Sequence, residues 1–202
     1  MSTQKTVQQQ FGTVEDNHLR LDTEKAEQIV DALNTDVAAL YVLYHQLKKH
    51  HWNVTGAEFR DVHLFLDEAA EAVEDGIDEL AERTGALGGT PIAGAKAAEE
   101  HAPVTPEGAD VYDVRTSLEN DLAMYGDIIE TLRGHTELAT NLGEYANAEL
   151  SRGILLDHEP DPHHVTADLE SDTPQTDPSL HRPSLPAEAA GSRRDALAQR
   201  AT

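Results

Sequence analysis

The stretch His50-His51-Trp52-Asn53-Val54-Thr55-Gly56-Ala57-Glu58 separates two segments whose apolar residues recur every three or four positions. Reading it as the turn of an antiparallel helical hairpin decides the fold. Before it, Asp22 is placed to cap a helix, and Ile29, Leu33, Val37, Leu40, Tyr44 and Leu47 mark one stripe that ends near Trp52. After it, Thr55-Gly56-Ala57-Glu58 has the form of a capping box. Val62, Leu66, Ala69, Val73, Ile77 and Leu80 then carry a second helix up to Gly85 and the Gly88-Gly89 pair.

Further along, residues 86–109 hold glycine, alanine, Pro91, Pro103 and Pro106, a connection long enough to cross the length of a bundle. A third helix is expected from about Asp110 to Arg133, with Val111, Val114, Leu118, Leu122, Tyr125, Ile129 and Leu132 inward and Gly134 as its stop. A fourth is expected from Thr136, carrying Leu138, Leu142, Tyr145, Leu150 and Ile154, and it should kink or stop at Pro160 and Pro162. The fold class is therefore all-α, a four-helix bundle with one long crossover between helices two and three. The expected organisation is a flexible polar arm at 1–20, the bundle at 21–172 and a Pro-rich disordered tail at 173–202.

Composition narrows the chemistry. The chain of 202 residues has 38 acidic and 15 basic side chains, a formal net charge of −23. Such a surface repels phosphate backbones and suits solubility in concentrated salt. The absence of cysteine excludes disulfides, thiolate metal sites and a cysteine nucleophile. No apolar run approaches the roughly 18 residues that span a bilayer, and the N-terminus is polar, so a cytoplasmic protein with no membrane contact is expected.

The second helix carries a polar stripe beside its apolar one. His63, Asp67, Glu71, Glu74, Asp78 and Glu82 are spaced by three or four residues and share one face. The carboxylates alone read as a solvated acidic face. His51 and His63, however, lie six residues either side of Ala57, which puts them at one height in a hairpin, with Asp67 a turn further on. That nitrogen and oxygen set suits ferrous iron or zinc. Asp67 and Asp78 are 11 residues apart, roughly 16 Å along a helix axis at about 1.5 Å per residue. One copy cannot close a single site from both ends, whereas two copies crossing near residues 72–73 bring Asp67 of one to Asp78 of the other, twice over. A di-iron centre inside one bundle is disfavoured, because the sole Glu-x-x-His is Glu15-Asp16-Asn17-His18, in the arm.

Over about residues 20–172 the chain resembles the Dps family of miniferritins, proteins that protect DNA in starved cells; its bulk acidic charge suggests the haloarchaeal type. The resemblance rests on His50-His51-Trp52-Asn53-Val54-Thr55-Gly56, on His63-Leu64-Phe65-Leu66-Asp67-Glu68, on Asp78-Glu79-Leu80-Ala81-Glu82-Arg83 and on Ala86-Leu87-Gly88-Gly89-Thr90-Pro91. It implies a ferritin-like bundle, a hollow dodecamer and a ferroxidase site at the two-fold interface. In that site His51, His63 and Asp67 come from one subunit and Asp78 and Glu82 from its partner. The activity implied is oxidation of Fe²⁺, preferably by hydrogen peroxide, with storage of Fe³⁺ as mineral and relief from oxidative damage. Trp52 is placed either to donate an electron beside the site or simply to pack, and Glu71 and Glu74 either to pass iron inward or to remain surplus acids. Tyr41, Tyr44, Tyr125 and Tyr145 are expected in the core. The alternative is a nucleoid-associated DNA-protecting protein with iron secondary, which the −23 charge and the near absence of lysine from the arm oppose. A purely structural bundle whose histidines only pack is the third possibility.

Overall fold

The computed structural model describes residues 6–171. Six helices follow one another among them, α1 (Thr23–Asn53), α2 (Phe59–Ala86), α3 (Ala95–His101), α4 (Val114–Asn141), α5 (Tyr145–His158) and α6 (Pro160–Ser171), and no strand is present among these residues. The expected tail at 173–202 lies outside the described residues.

Helix α1 packs along α2 and across α4, while α4 packs against both α5 and α6. The α5–α6 pair thus serves as the fourth helix of an all-α bundle. The α1–α2 hairpin has the register anticipated from Ala57: His51 stacks on His63, Lys48 pairs with Asp67, and Leu40 reaches Gly76. Val30 then meets Gly89 just past the end of α2. One apolar core runs through the bundle, with Leu40, Leu43, Leu47, Leu66, Leu80, Leu132 and Ile154 all buried. Asp22 caps α1 as expected, its carboxylate accepting the Glu24 N–H at 3.1 Å.

Several local expectations are corrected. Thr55 forms no capping box: α2 begins at Phe59 after Glu58, which gives it no side-chain cap, and the chain turns instead at Gly56, where φ is +125°. The crossover is not a plain linker. It folds into α3 against α1 and buries Leu87, Ile92, Ala98 and Val104. Val111 lies outside any helix and is exposed, because α4 starts only at Val114, capped by Asp113.

Gly134 does not stop α4. It lies exposed in the middle of that helix, where glycine costs about 1 kcal/mol against alanine, and buried Leu132 and Ala139 on either side hold the helix through it. The stop is Gly143, at φ +78°. Its N–H donates to Thr140 O and the next N–H, of Glu144, to Ala139 O, the paired bonds of a Schellman ending. Lys25 Nζ adds a bond to Leu142 O. The next helix accordingly begins at Tyr145 rather than Thr136, and Tyr145 is 70% exposed rather than core. Of the other tyrosines, Tyr125 is buried and Tyr41 and Tyr44 are half-buried. At Pro160 the helix stops and restarts, since proline lacks the N–H that continuation needs but suits a first turn.

The segment 6–20 is irregular but tied down. Glu15 N–H and Gln9 Nε2 both donate to Gly88 O, and Val14 packs against the core. Reading 1–20 as a flexible arm does not anticipate these contacts.

Candidate metal centre

At the turn end of the hairpin the rings of His51 and His63 stack with centroids 3.8 Å apart. Each braces the other's main chain: His51 Nδ1–H donates to His63 O at 2.9 Å and His63 Nδ1–H to His51 O at 3.0 Å. A carbonyl oxygen only accepts, so both rings commit a protonated Nδ1 to the main chain and leave Nε2 as the nitrogen that can face a metal. His51 Nε2 lies 3.7 Å from Asp67 Oδ1.

That oxygen already has a partner. Lys48 Nζ, one turn earlier on α1, donates to Asp67 Oδ1 at 2.7 Å. The ammonium holds the Asp67 carboxyl below the usual carboxylate range, helped by the nearby imidazoles and opposed by a little burial, and Asp67 in turn raises the Lys48 pKa. An internal cation thus sits where an incoming one would bind.

The remaining site residues stand elsewhere on α2. Asp78 lines a separate cleft with Tyr41, Tyr44, Glu74, Ile77 and Ala81. Asp78, Glu82, Glu71 and Glu74 are all exposed. The structure therefore brings together His51, His63 and Asp67 and keeps Asp78 and Glu82 apart from them. Among the described residues no three His, Asp or Glu side chains of one chain converge on a metal position. Trp52 does not pack in this chain. It is 71% exposed, and Leu64 and Phe59, the latter stacking on His63, are exposed in part.

Sequence reasoning missed what fixes the end of α1. His50 is buried, and its Nδ1 bonds Asp121 Oδ2 on α4 while its Nε2 bonds Glu107 in the crossover. Gln46 also donates to Asp121, and Lys49 and Asn120 to Glu107. Two carboxylate acceptors on one ring require both nitrogens to carry protons. Burial disfavours that charge, but the bonds to Asp121 and Glu107 outweigh it and raise the His50 pKa. For Glu107, burial is likewise outweighed by its Lys49, His50 and Asn120 donors, which hold its carboxyl low. The signal in sequence was an acid, Asp121, on an otherwise apolar face beside Leu118, Leu122 and Tyr125.

The known ferritin-like domain matches residues 30–170. The "DNA protection during starvation protein" of Halobacterium salinarum is 58% identical over 181 residues, covering 89% of this chain and all of that one. The chain belongs to the Dps family. The structure of the Dps homologue from the same archaeon superposes with a TM-score of 0.83. A "nutrient stress-induced DNA-binding protein" of Synechococcus is 38% identical, covering 82% of this Dps chain and 94% of its relative. The Vibrio cholerae Dps protein is described as a member of the ferritin-like diiron-carboxylate superfamily. It is 26% identical and superposes with a TM-score of 0.72, covering 80% of this chain and 99% of its own. In this Dps chain no described helix is long and apolar enough to cross a membrane.

Proposed function

We propose that the chain is a cytoplasmic iron-storing ferroxidase whose sites form between two copies, with His51, His63 and Asp67 from one and Asp78 and Glu82 from the other. The observation that carries this reading is the division of one polar face into two incomplete halves. Two imidazoles and one carboxylate lie near one another at the hairpin end, and Asp78 and Glu82 stand roughly 16 and 22 Å from Asp67 along α2 at about 1.5 Å per residue. Exposed Trp52, Phe59 and Leu64 border the first half, as residues awaiting a second copy would. A two-fold axis turns two halves into two complete sites, and the family's hollow dodecamer supplies such axes.

Iron is the substrate. The Nε2 lone pairs of His51 and His63 bind ferrous ions, and Asp67, released by Lys48, joins the carboxylates of the second copy. The anionic oxygens favour the ferric product. Two Fe²⁺ lose one electron each, and hydrogen peroxide takes both with two protons and leaves as two waters. Trp52, adjacent to His51, is placed to donate an electron to a stray oxidant, and Glu71 and Glu74 lie between the halves as a path for ferric ions toward mineral. Binding needs deprotonated ligands and weakens in acid.

The "DNA-binding" description of relatives suggests a nucleoid role, but a formal charge of −23 per chain opposes contact with phosphate. A gel shift in physiological salt that retards duplex DNA would restore that role.

Subunit mixing tests the shared site. His51→Ala and Asp78→Ala homo-oligomers should each fail to oxidise Fe²⁺ with peroxide. Unfolded together and co-assembled, they should regain about a quarter of the sites, since half the pairs are mixed and each mixed pair keeps one intact site. No recovery in mixtures shown to be co-assembled would place the chemistry within single chains.

A further inference from the structure

The break between α5 and α6 leaves an unexplained group in the bundle interior. His158 is 2% exposed, and neither ring nitrogen has a hydrogen-bond partner. A buried imidazole with both nitrogens idle is rare enough to need a reason. Its Nε2 faces Gly76 of α2, where an added Cβ would stand 3.3 Å away, so the glycine makes the room the ring occupies. On the other side Nδ1 lies 3.9 Å from Asp161 Oδ2, beyond hydrogen-bond reach. The same oxygen accepts the hydroxyl of buried Tyr125 at 3.0 Å. The sequence arranges this through Pro160, which ends α5 just after His158 and starts α6 with Asp161 a turn away.

We propose that His158 and Asp161 bind one divalent transition cation of the zinc or ferrous class inside a single bundle, with Tyr125 as the positioning residue that orients the carboxylate. A cation about 2.1 Å from each donor at a tetrahedral angle spans about 3.4 Å, so a closure of about half an ångström from the observed 3.9 Å would seat an ion between them. Imidazole with carboxylate is a donor pair for such ions, and water completes the shell. Burial pushes the Tyr125 phenol well above its usual range, with the Asp161 carboxylate adding to the effect. It therefore stays protonated as a donor to Asp161, the outer-shell arrangement that fixes a ligating carboxylate. This site draws every group from one chain and does not depend on the shared centre at the hairpin.

Zinc titration of the metal-free, assembled full-length protein by equilibrium dialysis tests it. His158→Leu, which keeps an apolar fit, and Asp161→Asn should each bind one zinc fewer per chain than the native protein. Tyr125→Phe should keep the count but bind about 10- to 100-fold more weakly. His63→Ala with Asp78→Ala should retain this zinc while losing that of the hairpin, which separates the two sites. Equal zinc counts in the native, His158→Leu and Asp161→Asn proteins would overturn the proposal. Should His158→Leu fail to assemble, Asp161→Asn, whose side chain lies nearer the surface, carries the same comparison.

Discussion

Asp121→Ala should be among the most damaging single changes in the bundle. The carboxylate is fully buried and accepts from His50 Nδ1 at 2.8 Å and from Gln46 Nε2 at 2.9 Å. Alanine leaves a buried imidazolium half-paired and an amide donor idle. Breaking one side of a buried ion pair costs about 3–5 kcal/mol. The lower end applies because Glu107 still holds the other ring nitrogen. For a chain of this size about 1 kcal/mol moves the melting temperature by about 2–4 °C, so a drop of about 6–12 °C is expected. Asp121→Asn keeps one acceptor oxygen and should lose less, about 1–3 kcal/mol. Thermal unfolding of metal-free protein, followed by helical circular dichroism at matched chain concentration, measures both. A fall below about 2 °C for Asp121→Ala would mean that His50 is not held charged between two carboxylates, and the account of how α1 is anchored to α4 and the crossover would be wrong.

Lys48→Met should tighten ferrous binding severalfold, because Asp67 no longer has to be freed from an ammonium 2.7 Å away; anaerobic Fe²⁺ titration with unchanged affinity would remove Lys48 from the site. Gly89→Ala places a Cβ 2.6 and 2.8 Å from the two methyl carbons of buried Val30, an overpacking worth about 1–3 kcal/mol. Urea denaturation should show that loss, and adding Val30→Ala should recover part of it. For His135, burial disfavours the charge but the 2.8 Å bond and attraction to buried Asp36 outweigh it, so its folded pKa is raised. Its contribution is complete below the unfolded value of about 6.5 and is lost as pH rises through the higher folded value. Melting temperatures taken from pH 6 to 9 should therefore fall more steeply for the native protein than for His135→Gln; parallel curves would contradict the pairing.

The hairpin was legible because its information is local. Helical periodicity and six residues either side of Ala57 are enough to set His51 against His63, and neighbouring turns do the rest. The stop of α4 was misplaced because two glycines competed, and only buried Leu132 and Ala139 decide that the helix passes Gly134 and ends at Gly143. The Glu107–His50 bond joins residues 57 apart through a crossover whose own short helix was not foreseen. Lys48 lay in plain view one turn before His51, but no spacing rule distinguishes an ammonium aimed at a ligand from one in solvent. The division of the polar face into two halves, in contrast, follows from helix rise alone.

The reciprocal brace at the turn has a consequence for tolerance to change. Each imidazole is anchored to the other residue's peptide carbonyl rather than to its side chain. Substituting either histidine therefore leaves the survivor's anchor intact and its outward nitrogen still free. A copy silenced at this corner thus keeps its remaining donor correctly aimed, and a single reversion restores the whole.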